Sequence, residues 1–274
     1  MIGSTITRVL AEDSRLQVRG TIRRAHLLTL FSDELACLLV SDVDLLNTDK
    51  LLKVMKAERP DVVVNAAGLT KHLAGSGDPL QALPMNALLP HRLLDLCVLI
   101  NARLVHISTD CVFRGDKGMY TEYDIPDASD LYGRSKALGE IDAKGHITIR
   151  TSTIGHELST TYGLLNWFLS QGDACKGYRN AIFSGLPTVV LAEVIRDYVI
   201  PNESLFGLYN VAASAINKFN LLHLIADVYG KSIDIEVDDT VVIDRSLDGS
   251  KFNEATGYQA PDWPEMIRKM YATR

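Results

Sequence analysis

The sequence predicts an α/β protein built on a doubly wound parallel sheet, with a smaller lobe contributed by its C-terminal part. Three observations carry this. Short β-branched runs alternate with longer stretches of helical periodicity. Runs such as Asp61-Val62-Val63-Val64-Asn65 are apolar at successive positions, which fits parallel strands covered by helices on both faces. The alternation is regular to about Arg150 and loosens beyond it. With 274 residues and 47% hydrophobic content, the chain can build a large core, as one domain or as a domain with a smaller companion.

The elements follow in order. Residues 1–10 read as a helix, and 17–22 and 38–40 as short strands. Leu51, Leu52, Val54 and Met55 mark a helix over 49–58, with Thr48 placed to cap it. Pro60 ends that helix, and Arg59 before it is steered out of the α region. Residues 61–65 form the next strand, 86–101 a helix with Pro90 near its start, and 103–107 a strand. A helix over 130–141 and a strand over 146–150 complete the regular part. Beyond them, helices are expected at 163–170, 191–199, 219–229 and 263–270, a strand at 207–211 and mixed structure at 233–252. Residues 1–155, rejoined by 187–212, are expected to form the sheet domain, and 156–186 with 213–274 the lobe.

Composition excludes several function classes. The net charge is −6 and no basic block stands out, so neither a nucleic acid polymer nor an anionic membrane is the expected partner. Cys37, Cys97, Cys111 and Cys175 are far apart, without a CxxC pair or a His-rich ligand spacing, so no metal site is expected. Three of them stand in apolar surroundings and read as reduced core thiols. No apolar run reaches transmembrane length and no signal peptide is legible, which predicts a cytoplasmic location. The sequence sets no oligomeric state; a homodimer stays open.

The first ten residues resemble the opening helix of a Rossmann-like dinucleotide fold. Such a unit normally starts with a strand and a glycine-rich turn, whose amides and following helix N-terminus hold a pyrophosphate. Gly3 stands where the last glycine of that turn belongs, and the strand and earlier glycines are not in the sequence. The expected explanation is an internal methionine in a working protein about ten residues longer; the alternative is a chain that lacks the strand and binds cofactor weakly. Arg23 and Arg24 end the first visible strand, where an acidic residue would bind a ribose 2′-hydroxyl and arginine accommodates a 2′-phosphate, so they favour NADP over NAD. Asp44 and Leu45 follow the next strand and could meet the adenine. Asn65, Ala66, Ala67 and Gly68 end the strand after that, with side chains small enough for a cofactor to approach the backbone.

Tyr132 and Lys136 form a YxxxK element on a predicted helix, which places both side chains on one face. An ammonium near a phenol favours phenolate and lowers its pKa, so that the phenol can protonate a carbonyl oxygen as hydride reaches the carbon. A solvated helical pair would have the same spacing, so context decides. Ser108 and Thr109 follow directly on the strand 103–107, at the carboxyl end where open α/β sheets bind ligands. Thr109 could hydrogen-bond the same carbonyl oxygen; a simple hydroxyl-rich turn or cap is its plainer explanation.

These residues, with Asn86, resemble the extended short-chain dehydrogenase/reductases. The runs His106-Ile107-Ser108-Thr109-Asp110-Cys111-Val112-Phe113, Leu131-Tyr132-Gly133-Arg134-Ser135-Lys136 and Ile149-Arg150-Thr151-Ser152 are closest to the dTDP-4-dehydrorhamnose reductase family. The likeness is strong to about residue 155; beyond it Gly185-Leu186-Pro187-Thr188 and Asp244-Arg245-Ser246-Leu247 still echo the family. It implies NADPH-dependent reduction of the 4-keto group of a nucleotide-linked deoxysugar, in surface polysaccharide biosynthesis. Tyr132 would be the acid, Thr109 would orient the ketone, and Lys136 and Ser108 would also touch the cofactor. The C-terminal lobe would bind the nucleotide diphosphate, with Arg245 a phosphate ligand by charge and fork geometry, against an ordinary salt bridge.

Two positions depart from the family, which usually has tyrosine at Cys111 and tryptophan at Thr153, both near the sugar. The smaller side chains leave room for an N-acetyl group, so a UDP-2-acetamido-2,6-dideoxy-4-ketohexose stands beside dTDP-4-dehydrorhamnose as substrate. Two other functions are carried: a non-catalytic regulatory or binding subunit that keeps the fold, and an epimerase that holds NAD.

Overall fold

The computed structural model describes residues 1–71 and 75–274. A helix Ile2–Ala11 opens it. Strands β1 (Gly20–Thr21) and β2 (Leu39–Val40) pair in parallel as a small sheet of their own. The helix Thr48–Glu58 leads to β3 (Val62–Asn65), and the helix Leu89–Ile100 to β4 (Arg103–Ile107). The helix Leu131–Leu138 precedes β5 (Ile147–Arg150). Then come β6 (Thr153–Ile154), the helix Leu164–Ser170, β7 (Ala174–Tyr178), β8 (Ala181–Phe183) and β9 (Leu186–Pro187). The helix Thr188–Val194 leads to β10 (Gly207–Asn210). After β11 (Ile216–Asn217) and the helix Lys218–Tyr229 come β12 (Asp234–Asp238) and β13 (Ile243–Asp244), then the helices Ser250–Thr256 and Trp263–Ala272.

The main sheet has the order β10-β5-β4-β3, all parallel. Alternation along β4 sends its two faces into different cores. Val105 and Ile107 pack with Ile6, Val9 and Leu10 of the first helix and with the helix Thr188–Val194. Leu104 packs on the other side with Leu51, Met55, Leu89, Leu93 and Cys97. Helices therefore cover both faces, as the apolar runs predicted. Among the described residues β3 has a strand neighbour only on its β4 side, and β1 only on its β2 side. The C-terminal part adds β7 paired with β12, β8 between β11 and β13, and β6 with β9.

Several sequence expectations need correction. The strand expected at 17–22 shrinks to Gly20–Thr21, because a ladder exists only where a neighbour pairs with it. Asn47, not Thr48, caps the next helix: its side chain accepts from the Lys50 amide at 3.0 Å. Arg59 leaves the right-handed α region by turning left-handed, with φ 43°. The helix expected from 86 is entered earlier, at Pro79, where Asp78 accepts from the Leu80 amide and proline fits the first turn. A π-helical stretch, Leu83–Leu88, connects this start to the helix Leu89–Ile100.

The resulting helical run Pro79–Ile100 spans 22 residues with mean hydropathy 1.3, long and apolar enough to cross a membrane by length and composition. This overturns the statement that no run reaches that length. Here its Leu89, Leu93 and Cys97 pack beneath the sheet. The thiols also differ from expectation: Cys97 is buried, Cys111 and Cys175 are half-buried and Cys37 is exposed.

Candidate functional site

The site is assembled where the carboxyl ends of β3 and β4 meet the helix Leu131–Leu138. Asp130 starts that helix by accepting from the Gly133 amide at 2.7 Å. Two glycines then set its distance from its surroundings. A Cβ at Gly133 would lie 2.1 Å from the Cys111 carbonyl oxygen, and one at Gly139 would lie 2.0 Å from that of Asn86. Only glycine permits these approaches. Gly133 brings the helix carrying Tyr132 and Lys136 against the turn Asp110–Val112 that follows Thr109, and Gly139 brings its C-terminal end against Asn86.

Lys136 is buried, and its Nζ donates to the Ile107 carbonyl at the end of β4, 2.8 Å away. Burial brings its pKa down to about 8, with the Glu140 carboxylate opposing. Thr109 is buried too; its hydroxyl accepts from the Cys111 amide and donates to the Asp110 carboxylate, each at 3.1 Å. It is thus a turn cap, as its plainer explanation held, and it also faces Tyr132. Burial pushes the Tyr132 phenol well above its ordinary value; the neighbouring acidic groups Cys111 and Asp110, when ionised, push the same way and the Thr109 hydroxyl opposes them. The expectation that Lys136 lowers the phenol is not met, because the ammonium is turned onto the Ile107 carbonyl and desolvation of the phenol dominates.

On β3, the buried Asn65 accepts from the Ala67 amide at 3.2 Å and donates to His106 Nδ1 at 3.0 Å. That bond leaves His106 Nε2 as the protonated nitrogen, and burial keeps the ring well below its ordinary pKa, hence neutral. The half-buried Ala66 and Ala67 and the exposed Gly68 continue from Asn65. Asn86 accepts from the Leu69 amide at 2.8 Å and donates to the Leu69 carbonyl and to Ser135 Oγ, tying this turn to the Tyr132 helix. Gly3 is exposed at the N-terminus of the first helix, and a Cβ there would meet Ala66 Cβ at 3.9 Å. The sequence-predicted cofactor residues Gly3, Asn65, Ala66, Ala67 and Gly68 thus lie together.

Arg23 and Arg24 are exposed, and among the described residues neither makes an ion pair, so both are free to meet an anion. Asp44 is half-buried and accepts from the Leu46 amide, and Leu45 packs against the lower core; among the described residues neither hydrogen-bonds Thr109, Tyr132 or Lys136. Ser108 is buried and donates to Glu140 Oε1 at 2.7 Å. Among the described residues, Gly3 and Ala66 offer a side-chain-poor surface at a helix N-terminus, which fits a dinucleotide.

Arg245 reaches the site from the chain's last third. Its Nε donates to the Phe113 carbonyl at 2.8 Å and its NH1 lies 3.8 Å from Cys111 Sγ. Among the described residues it has no carboxylate at ion-pair distance, so the ordinary salt bridge is absent. Thr153 is half-buried in β6, in register with Leu186, and among the described residues makes no hydrogen bond to Thr109, Tyr132 or Lys136.

Sequence reasoning missed Lys218 and Glu140. Lys218 opens the helix Lys218–Tyr229; burial lowers its pKa first, then the charge of Lys71, while Asp110 and Cys111 oppose. Lys71, Lys218 and Arg245 therefore share one field around Cys111. No motif announces Lys218, but Glu140 was legible: Tyr132, Lys136 and Glu140 recur every fourth residue.

A family model described as the RmlD substrate binding domain matches residues 2–232. A dTDP-4-dehydrorhamnose reductase of Aggregatibacter actinomycetemcomitans is 31% identical over 131 residues, covering 47% of this chain and 44% of that protein. The chain therefore spans under half the length of this curated relative. Methionine adenosyltransferase 2 subunit beta of Rattus norvegicus is 33% identical over 98 residues, or 36% of this chain and 29% of that protein. The crystal structure of a dTDP-4-dehydrorhamnose reductase from Bacillus anthracis in complex with NADP superposes with a TM-score of 0.76 at 21% identity, covering 94% of this chain and 99% of that one. At that identity the likeness establishes the fold, a Rossmann-like α/β sheet.

Proposed function

The chain belongs to the family of RmlD substrate-binding domains, and from that premise we propose that it reduces the 4-keto group of a nucleotide-linked deoxysugar with NADPH. The observation that supports this best is the meeting of Tyr132, Thr109 and Lys136 at the carboxyl end of β4.

A phenol raised by burial is fully protonated at neutral pH. Tyr132 therefore holds the proton that the ketone oxygen must receive. Thr109, tied to Asp110 and the Cys111 amide, presents its hydroxyl from a fixed place beside that phenol. Lys136, charged below about 8, supplies positive charge where oxygen becomes anionic. NADPH, when bound, supplies the hydride. Gly3 and Asn65 to Gly68 would hold its pyrophosphate and ribose, Ser108 and Lys136 its nicotinamide end, Asp44 and Leu45 its adenine, and Arg23 and Arg24 its 2′-phosphate. In this arrangement residues 1–155 with 187–212 serve the cofactor, and 156–186 with 213–274 serve the sugar nucleotide.

Lys71, Lys218 and Arg245 supply the charge that a sugar-linked diphosphate needs. Cys111 and Thr153 are small for positions beside a sugar, which favours a UDP-2-acetamido-2,6-dideoxy-4-ketohexose alongside dTDP-4-dehydrorhamnose. The proposal places the chain in the cytoplasm. Incubation of the protein with NADPH and each 4-keto sugar, followed by mass spectrometry, tests it: gain of two hydrogens on the sugar is expected, and no turnover of either sugar rejects it. A second function, a non-catalytic subunit, is favoured by the 33% identity to methionine adenosyltransferase 2 subunit beta. NADPH binding without turnover of any 4-keto sugar would select it.

A further inference from the structure

Glu140 is not part of the motif, yet it joins three elements of the site. Its Oε1 accepts from Ser108 Oγ at 2.7 Å and from Arg150 Nε at 2.8 Å, and its Oε2 accepts from Arg150 NH2 at 2.7 Å. The two side chains are 10% and 2% exposed, so this is a buried, bidentate ion pair. Ser108 precedes Thr109, Arg150 ends β5 beside β4, and Glu140 follows the C-cap Gly139 of the helix that carries Lys136. The Arg150 guanidinium also stacks on the Phe113 ring at 5.0 Å, and Phe113 stacks on Tyr120 at 4.1 Å.

We propose that Glu140 is a positioning residue for the reaction: its carboxylate ties Ser108, and with it the Thr109 turn, and the Arg150 end of β5 to the segment that follows the Tyr132 helix. This rests on the reductase function proposed above. The geometry requires an anion here rather than a neutral acceptor. Arg150 is buried and needs a countercharge, and among the described residues the Lys136 ammonium hydrogen-bonds the Ile107 carbonyl, with the Glu140 carboxylate opposing the effect of burial. The groups facing Lys136 from packed elements are few. His106 on β4 lies close enough to feel the Lys136 charge, and burial keeps its ring neutral. Asp110 and Cys111 in the turn face Tyr132 instead. Glu140 is the anion that sustains Lys136.

The test is Glu140→Gln, which keeps the shape and the acceptor for Ser108. The expected outcome is a kcat reduced at least tenfold with the sugar KM changed less than threefold, and an alkaline limb of the pH profile displaced to lower pH. Glu140→Asp, which keeps the charge, should restore the limb. Because the bare Gln variant leaves Arg150 unpaired and could unfold, Glu140→Gln with Arg150→Met is measured beside it. A merely structural role predicts that the double variant recovers wild-type kcat and pH profile, and that result overturns the proposal; a positioning role predicts that it folds but keeps both defects. Titration of Lys136 by NMR in 13C-lysine-labelled protein, its signal identified with Lys136→Met, reads the same effect without turnover. A lower Lys136 pKa in Glu140→Gln supports the proposal and an unchanged one overturns it. An inactive wild-type protein whose Lys136 titration still responds to Glu140 would count against the reductase function and not against the charge coupling.

Discussion

Gly133 and Cys111 lie so close that no side chain fits between them: a Cβ at position 133 would stand 2.1 Å from the Cys111 carbonyl oxygen and 2.5 Å from Ala128 Cβ. The contact sets the spacing between the helix of Tyr132 and the turn of Thr109. Gly133→Ala must push the two apart, because the obstacle is backbone. A loss of about 1–3 kcal/mol is expected from overpacking. Thermal unfolding should show a lower Tm, and ketone reduction should fall further than the Tm loss explains, since Thr109 and Tyr132 separate.

The site should respond to pH through Lys136. Its pKa, brought down to about 8 by burial, makes it charged at neutral pH and uncharged above. Turnover at saturating sugar and NADPH should hold at neutral pH and decline as pH rises through about 8. Stability moves the other way. The folded value lies below the unfolded 10.5, so between about 8 and 10.5 the unfolded chain binds more protons, and this residue's contribution increasingly favours folding as pH rises. Lys136→Met should remove both dependences, measured by a pH–rate profile and by urea unfolding.

Arg23 and Arg24 are exposed and, among the described residues, carry no ion pair. Their joint replacement by alanine should weaken NADPH binding about tenfold or more, the scale of one charge-assisted hydrogen bond, and leave NADH binding nearly unchanged. Fluorescence titration with each cofactor checks this; equal losses for both would remove the two arginines from cofactor choice.

Lys218→Met should raise the KM for the sugar nucleotide about tenfold while kcat changes little, because in the proposed function Lys218 supplies charge to the diphosphate and takes no part in the proton transfer assigned to Tyr132. Inhibition by the free nucleoside diphosphate should weaken in parallel.

Much of this was legible in the residues. The valines of β3 announced a parallel strand covered on both faces, and Tyr132, Lys136 and Thr109 marked a candidate site. Other features depend on contacts between distant segments, which no local pattern encodes. Residues 17–22 have strand composition, yet only Gly20–Thr21 finds a ladder partner. Lys218 and Arg245 reach Cys111 through the packing of the last third of the chain. The sign of the Tyr132 shift was misread for a related reason: spacing on a helix reports proximity to Lys136, whereas desolvation by the surrounding elements sets the pKa.

The central claim, that this chain reduces a nucleotide-linked ketone with Tyr132 as proton donor, is tested most directly by NADPH oxidation with the two 4-keto nucleotide sugars, wild type against Tyr132→Phe. Loss of NADPH absorbance is predicted for wild type with at least one sugar, falling about 10²–10⁴-fold in Tyr132→Phe while NADPH still binds. Equal rates in the two proteins, or NADPH binding with no oxidation by either, would contradict it.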